Sequence, residues 1–252
     1  MGFLGQLHFD ITASRLRDEF GLAVITSFPS VAYRVRERGH EYLVKQPGDF
    51  PEKPDEVFQP MIALEVLSPA QYLNAAVNLR NIFDMDIGEV KTVGENVVVH
   101  ARMPLSELLR DFDDKLKSIS QGYASFSYEL AEEARAEVSK LEILVAEEVI
   151  PALTRIVAEK DLEREARATV EKLKELLPRA QFSQAIQAKA HGRIIARETI
   201  RALRKDVTGY LYGGDRTRKM KLWKKQKRGK EKLKAMAKVS VPVEVFREIL
   251  KK

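Results

Sequence analysis

Apolar residues recur along this chain with two periods, and the changes between them outline its elements. Leu7, Phe9 and Ile11 alternate as in a half-buried strand. Leu16 and Phe20 then fall four apart, the spacing of a short helix, with Gly21 to close it. Leu22 to Ile25 form a second apolar run, and residues 29–35 extend it. Residues 1–35 therefore predict a partial β-α-β unit. One helix on two strands leaves open edges and an uncovered face, so the unit calls for a partner or for more chain. Residues 36–60 hold Pro47, Gly48, Pro51, Pro54 and Pro60 and read as a linker.

From Met61 the pattern is regular. Residues 61–66 alternate as a strand, and Ser68-Pro69 reads as cap and first-turn proline of a helix through Tyr72, Ala76, Leu79 and Ile82. Residues 87–93 and 96–103 form a hairpin about Gly94-Glu95. Pro104 opens a second helix with Leu105, Leu108, Leu109, Phe112 and Leu116 on its inner side. Residues 122–130 supply a last strand. The order β-α-β-β-α-β over residues 61–131 predicts a ferredoxin-like domain, a sheet with both helices on one face.

Residues 132–252 predict a small mixed α/β domain with a basic helical arm. It starts with an acidic stretch around a strand at 141–145. A helix follows over 160–177, where Leu162, Ala166, Val170, Leu173 and Leu177 repeat with 4-4-3-4 spacing and Pro178 ends the pattern. Short strands are expected at 183–190 and 193–195 around Gly192, and a short helix at 198–205. Residues 239–250 close with a strand and a helical turn. The fold class is α+β.

Charge changes the picture. The net charge of the 252 residues is +6, but residues 193–252 carry 20 Lys/Arg against 6 Asp/Glu, and residues 1–192 carry 23 against 31. An acidic body holding out a basic arm points to a polyanion, nucleic acid first. There is no cysteine, which excludes disulfides, thiolate chemistry and zinc fingers and fits a reducing, cytoplasmic setting. No run reaches the length of a membrane span.

Candidate chemistry is sparse. The phosphate-cradling loop G-x-x-x-x-G-K-[S/T] is absent, as is G-x-G-x-x-G. His8, His40, His100 and His191 are scattered without metal-ligand spacing. Adjacent carboxylates such as Asp113-Asp114 point about 100° apart on a helix. No catalytic constellation and no metal site is expected.

The basic arm is the one strong signal. From Arg216 to Lys234, eleven of nineteen residues are Lys or Arg and one, Glu231, is acidic. A self-sufficient surface helix would show a broad apolar stripe or many Glu–Lys pairs. Here Leu222, Gln226, Gly229, Leu233 and Met236 make only a thin stripe. Gly213 and Gly214 precede the run and let backbone approach a phosphate closely. No spacing encodes base readout, so contacts to phosphate and shape are expected. Trp223, the single tryptophan, suits either stacking on a nucleotide or docking of the arm.

Five stretches resemble the LepA family of translation factors, also called elongation factor 4. GFLGQLH at 2–8 and RLRDEF at 15–20 are similar to the end of domain III in the elongation factor G group, and GYASFSYE at 122–129 to the last strand of its domain V. GRIIARETIRALRKDV at 192–207 and YGGDRTRKMKLWKKQKRGKEKLK at 212–234 are similar to the C-terminal domain particular to LepA. Ala146-Glu147 departs from the family's Asn-Gly turn.

The resemblance implies the end of domain III at 1–35, a linker at 36–60, domain V at 61–131 and the LepA-type C-terminal domain at 132–252. It implies binding to the ribosome, through ribosomal RNA and tRNA, in reverse translocation or rescue of stalled ribosomes. The implied RNA-binding residues are Arg193, Arg197, Arg204, Lys205, Gly213, Gly214, Arg216, Arg218, Lys219, Lys221, Lys224, Lys225, Lys227, Arg228 and Lys230. GTP and magnesium belong to the family's GTP-binding domain, which these stretches do not include. This chain is then expected not to be an enzyme and to hold no cofactor, with a separate GTPase polypeptide as a further partner. The alternative from the residues alone is a free-standing RNA-binding or ribosome-assembly protein using the same arm.

Overall fold

In the computed structural model the described residues are 6–22, 24, 27–28, 30–203, 205–209, 216–236 and 241–250. The protein is α+β, with two antiparallel sheets. Its contacts divide it into two units, residues 29–140 with 155–159, and residues 1–28 with 141–154 and 160–252.

The first element corrects the reading of the opening residues. Where alternation predicts a strand at Leu7–Ile11, the chain forms a helix, α1 (Gln6–Phe20). Leu7 and Ile11 also fall four apart, as on a helical face, and within the helix the Thr12 hydroxyl donates to the His8 carbonyl at 2.8 Å. Arg15 donates to both carboxylate oxygens of Glu19, at 2.8 and 3.2 Å, and Ser14 Oγ donates to Asp18 at 2.8 Å. Gly21 ends α1 as expected. At φ 65° its N–H donates to the Arg17 carbonyl, the bond of an αL C-cap, which needs a left-handed residue there, and the Leu22 N–H donates to the Leu16 carbonyl. Leu22 is 54% exposed and outside any strand. Ala23 and Ile25 of the expected second strand lie outside the described residues.

Residues 36–60 are not a linker. Strands β1 (Tyr33–Glu37) and β2 (His40–Val44) form a hairpin about Arg38-Gly39, both at positive φ. A 3-10 turn at Pro47–Asp49 leads on to β3 (Glu56–Pro69). The prolines sit where a strand loses no donor: Pro47 opens the turn, and Pro60 falls where the β3 register shifts between Gln59 and Met61. Tyr33, Val35, Val44, Phe50 and Val57 make a small core under this hairpin.

β3 is the spine of the first unit. Helix α2 (Leu73–Asn78) follows it through a 3-10 turn, Ala70–Tyr72. Ser68 is not the cap expected of it: the serine is fully buried at the strand's end, and its hydroxyl donates to the Pro69 carbonyl. The hairpin of β4 (Asp86–Val93) and β5 (Asn96–Pro104) turns at Gly94-Glu95 as read, with Gly94 at φ 62°. Helices α3 (Leu105–Glu107) and α4 (Asp113–Ile119) flank a π-turn, Leu108–Phe112. Leu108, Phe112 and Leu116 pack inward, but Leu109 is 45% exposed. It stands about 100° around the helix from Leu108, outside the row spaced by fours. Strand β6 (Ser125–Arg135) then pairs with β3, giving the order β2-β1-β3-β5-β4 with β6 beside β3. Ile62, Leu64, Val66, Val99, Met103, Phe112 and Leu116 form the core of this unit.

The second unit is built on β7 (Val138–Val145), β8 (Glu148–Val149), β10 (Gln184–Ala190) and β11 (Arg193–Ile200), in the order β11-β10-β7-β8. The intervening strand β9 (Arg155–Ala158) pairs with β7 but belongs to the first unit, as do the first three residues of β7, Val138–Lys140. Helix α5 (Leu162–Leu176) packs on β10 and β11, burying Leu162, Ala166, Val170 and Leu173 as their spacing predicts. β11 also corrects the reading of 198–205 as a helix. The strand runs on to Ile200, opposite Gln184, and Glu198 bridges to Lys174 of α5 at 2.7 Å. β-branched Thr199 and Ile200 suit the strand, and Arg201 to Leu203 are irregular rather than helical. The unit ends in two helices, α6 (Arg216–Met236) and α7 (Val243–Leu250), the latter where a strand and one helical turn were predicted. Val239 and Ser240 of that strand lie outside the described residues. α7 buries Val245, Phe246 and Ile249 and packs on α5, where Lys172 Nζ donates to the Ile249 carbonyl.

Candidate nucleic-acid interface

The basic run forms α6, a helix of 21 residues and thus about 31 Å long. Its half-covered line is Lys219, Leu222, Gln226 and Lys230, spaced 3-4-4 along one face. Only Leu222 of these is apolar. Hydrogen bonds to backbone therefore do much of the docking. Gln226 Nε2 donates to the Lys205 carbonyl at 2.8 Å, and Lys230 Nζ donates to the Leu203 carbonyl at 2.6 Å. Both acceptors lie in the irregular segment after β11, where strand pairing no longer uses the carbonyls. The segment is shaped by Asp206, whose Oδ1 accepts from the Thr208 N–H at 2.9 Å and its hydroxyl at 3.0 Å.

Docking along this line leaves the cations outward. Arg216, Arg218, Lys221, Lys224, Lys225, Lys227, Arg228 and Lys232 are exposed. At about 100° per residue, Lys221, Lys224 and Arg228 face opposite the docked line. Among the described residues none of the eight is ion-paired. Closely spaced like charges repel along the helix, and a polyanion relieves that repulsion.

The other candidates divide by location. Arg193 and Arg197 are exposed on β11. Glu198, next to Arg197 and so on the opposite face of that strand, meets α5 through Lys174, which turns Arg197 away from α5; the register shift between Ile194 and Ala196 takes Arg193 out of that alternation. The Lys174 ammonium also holds the Glu198 carboxyl below the usual carboxylate range. Lys205 is exposed and lends its carbonyl to Gln226. Arg204, Gly213 and Gly214 lie outside the described residues. Lys230 and Lys219 stand apart from the exposed set: both are half-buried, and Lys230 is a docking group. The sequence places Gln226 on the thin stripe of the helix but not among the site residues, and its role as a docking donor comes from the structure. Its signal is that it is the one uncharged residue in a run of cations from Lys224 to Arg228.

Trp223 is 47% exposed and Met220, one turn earlier, 57% exposed. The indole is therefore not a buried anchor for the helix.

Two family models match the chain. The one described as Elongation factor G C-terminus covers residues 56–144, and the one described as GTP-binding protein LepA C-terminus covers residues 145–251. Elongation factor 4 of Thermotoga maritima is 45% identical over 255 positions, which take in 99% of this chain and 41% of that protein. Elongation factor 4 of Corynebacterium jeikeium is 44% identical over 248 positions, 97% of this chain and 40% of that protein. The chain spans about two fifths of the length of these relatives.

Proposed function

The chain belongs to the LepA, or elongation factor 4, family of translation factors, and from that premise we propose that it engages the ribosome by gripping RNA phosphates with helix α6. The observation that carries this reading is the helix itself, with eight exposed cations and docking through backbone carbonyls that leaves those cations outward. Lysine and arginine displayed on a rigid helix release counterions when they meet phosphates, and that release supplies affinity without reading sequence. Arg193 and Arg197 on β11 and Lys205 add contacts from the same unit, to ribosomal RNA or tRNA. GTP and magnesium chemistry is assigned to the part of the family's length that this chain does not span.

Co-sedimentation with ribosomes tests this. The native chain pellets with ribosomes at low salt. A K224E/K225E/K227E variant, changed at three outward positions that take no part in docking, stays in the supernatant. Equal pelleting of the two chains overturns the assignment of α6.

A further inference from the structure

We propose that Trp223 is a stacking platform for an unpaired RNA base, so that α6 holds single-stranded or looped-out nucleotides in preference to a continuous duplex. The proposal rests on the RNA reading above and adds to it the kind of RNA held. Three observations carry it. The indole is 47% exposed, and among the described residues it is paired with no other ring. Lys219, half-buried at the start of the docked line, and exposed Lys227 lie one turn to either side, at i−4 and i+4, on the same side of the helix. Those two ammonium-bearing positions are about 12 Å apart along the axis. Yet neither caps the ring: among the described residues the cations over aromatic faces are Arg34 and Arg36 on Phe58 and Arg110 on Phe83.

An open aromatic face bracketed by two cations matches the chemistry of one nucleotide. The base lies on the indole, and the phosphates on its two sides meet the ammonium groups. Every base has a π-face, so such a platform tolerates sequence but demands an unstacked base. A duplex keeps its bases stacked inward and offers this helix only phosphates. Met220, one turn before Trp223 and 57% exposed, extends the apolar surface on which the base edge or ribose rests. The charge around the ring selects this occupant over a protein: an apolar protein surface would bury those lysines without compensation, whereas RNA supplies the counter-charge.

Because Trp223 is the only tryptophan, its fluorescence reports this contact directly. The native chain is titrated with a single-stranded oligoribonucleotide and, separately, with the same strand in a blunt duplex at matched phosphate concentration. The single strand quenches the emission and the duplex, though bound, does not. W223A weakens single-strand binding about tenfold, leaves duplex binding and the salt slope unchanged, and W223F restores most of the loss. Unchanged single-strand affinity in W223A, with salt-sensitive binding intact, overturns the stacking role and leaves the RNA reading standing. Quenching on raising the protein concentration alone assigns the ring to contact between copies and also overturns it. Absence of any salt-sensitive RNA binding by the native chain removes both.

Discussion

Lys230 donates from its ammonium to the backbone carbonyl of Leu203 at 2.6 Å, which sets one cation of the basic helix to docking rather than display. With Gln226 on the carbonyl of Lys205, it fixes which face of α6 turns inward. A hydrogen bond of this kind contributes about 0.5–1.5 kcal/mol, more where the donor is charged. Replacing both residues with alanine removes the two bonds, and hydrogen exchange is expected to rise across 216–236 while the amides of β10 keep their protection. Unchanged exchange in α6 would show that Leu222 and its apolar neighbours hold the helix unaided.

The β7–β8 hairpin turns through Ala146 and Glu147 at φ 50° and 75°. Such a two-residue turn puts both residues in the left-handed region, where Asn-Gly is favoured and other side chains crowd the backbone. An A146N/E147G variant is expected to gain about 1 kcal/mol in denaturant unfolding, seen as a higher midpoint at constant slope. A lower midpoint would mean that the two native side chains have compensating contacts.

Tyr33 is 3% exposed, edge-on to Phe50 at a centroid distance of 6.1 Å. Burial pushes its phenol up from an ordinary value near 10 to about 12, with the Ser106 hydrogen bond opposing the rise and Glu107 adding to it. A folded-state value above the unfolded one stabilises the fold fully below pH 10 and progressively less as pH rises toward 12. In a spectroscopic titration one tyrosine should ionise late, and Y33F should remove that component and flatten the alkaline loss of stability. A Y33F chain with the same late component would place the shifted phenol elsewhere.

The parts of this fold that could be read in the sequence are those where one period runs long enough to exclude the other. Leu162, Ala166, Val170 and Leu173 run along α5, Leu177 follows as its C-cap, and all five are buried. Gly94-Glu95 marks its hairpin because a left-handed residue was needed there. Short signals failed. Leu7–Ile11 offered three apolar positions, two of them four apart, and the segment is continuous with the helix read at Leu16 and Phe20. The prolines of 36–60 suggested a linker, yet Pro47 opens a turn, Pro60 falls at a register shift, and Pro51 and Pro54 flank a bend in the connection between paired strands. In the second unit, Glu198 to Ile200 joined the strand because Gln184 and its neighbours were there to pair with them.

The candidate site divides the same way. Its charge is a matter of composition and was plain. Its orientation depends on the carbonyls of Leu203 and Lys205, and every residue carries a carbonyl, so no residue type announces which ones will be free to accept.

If α6 holds the ribosome through RNA phosphates, ribosome binding must weaken steeply with salt. Each phosphate neutralised contributes a slope of roughly −0.7 to −0.9 in log affinity against log salt. The native chain is expected to show a steep negative slope, and K224E/K225E/K227E one shallower by about 2 units with weaker binding throughout. Binding by the native chain that is indifferent to salt, or an equal slope in the two chains, would show that α6 does not grip RNA phosphates.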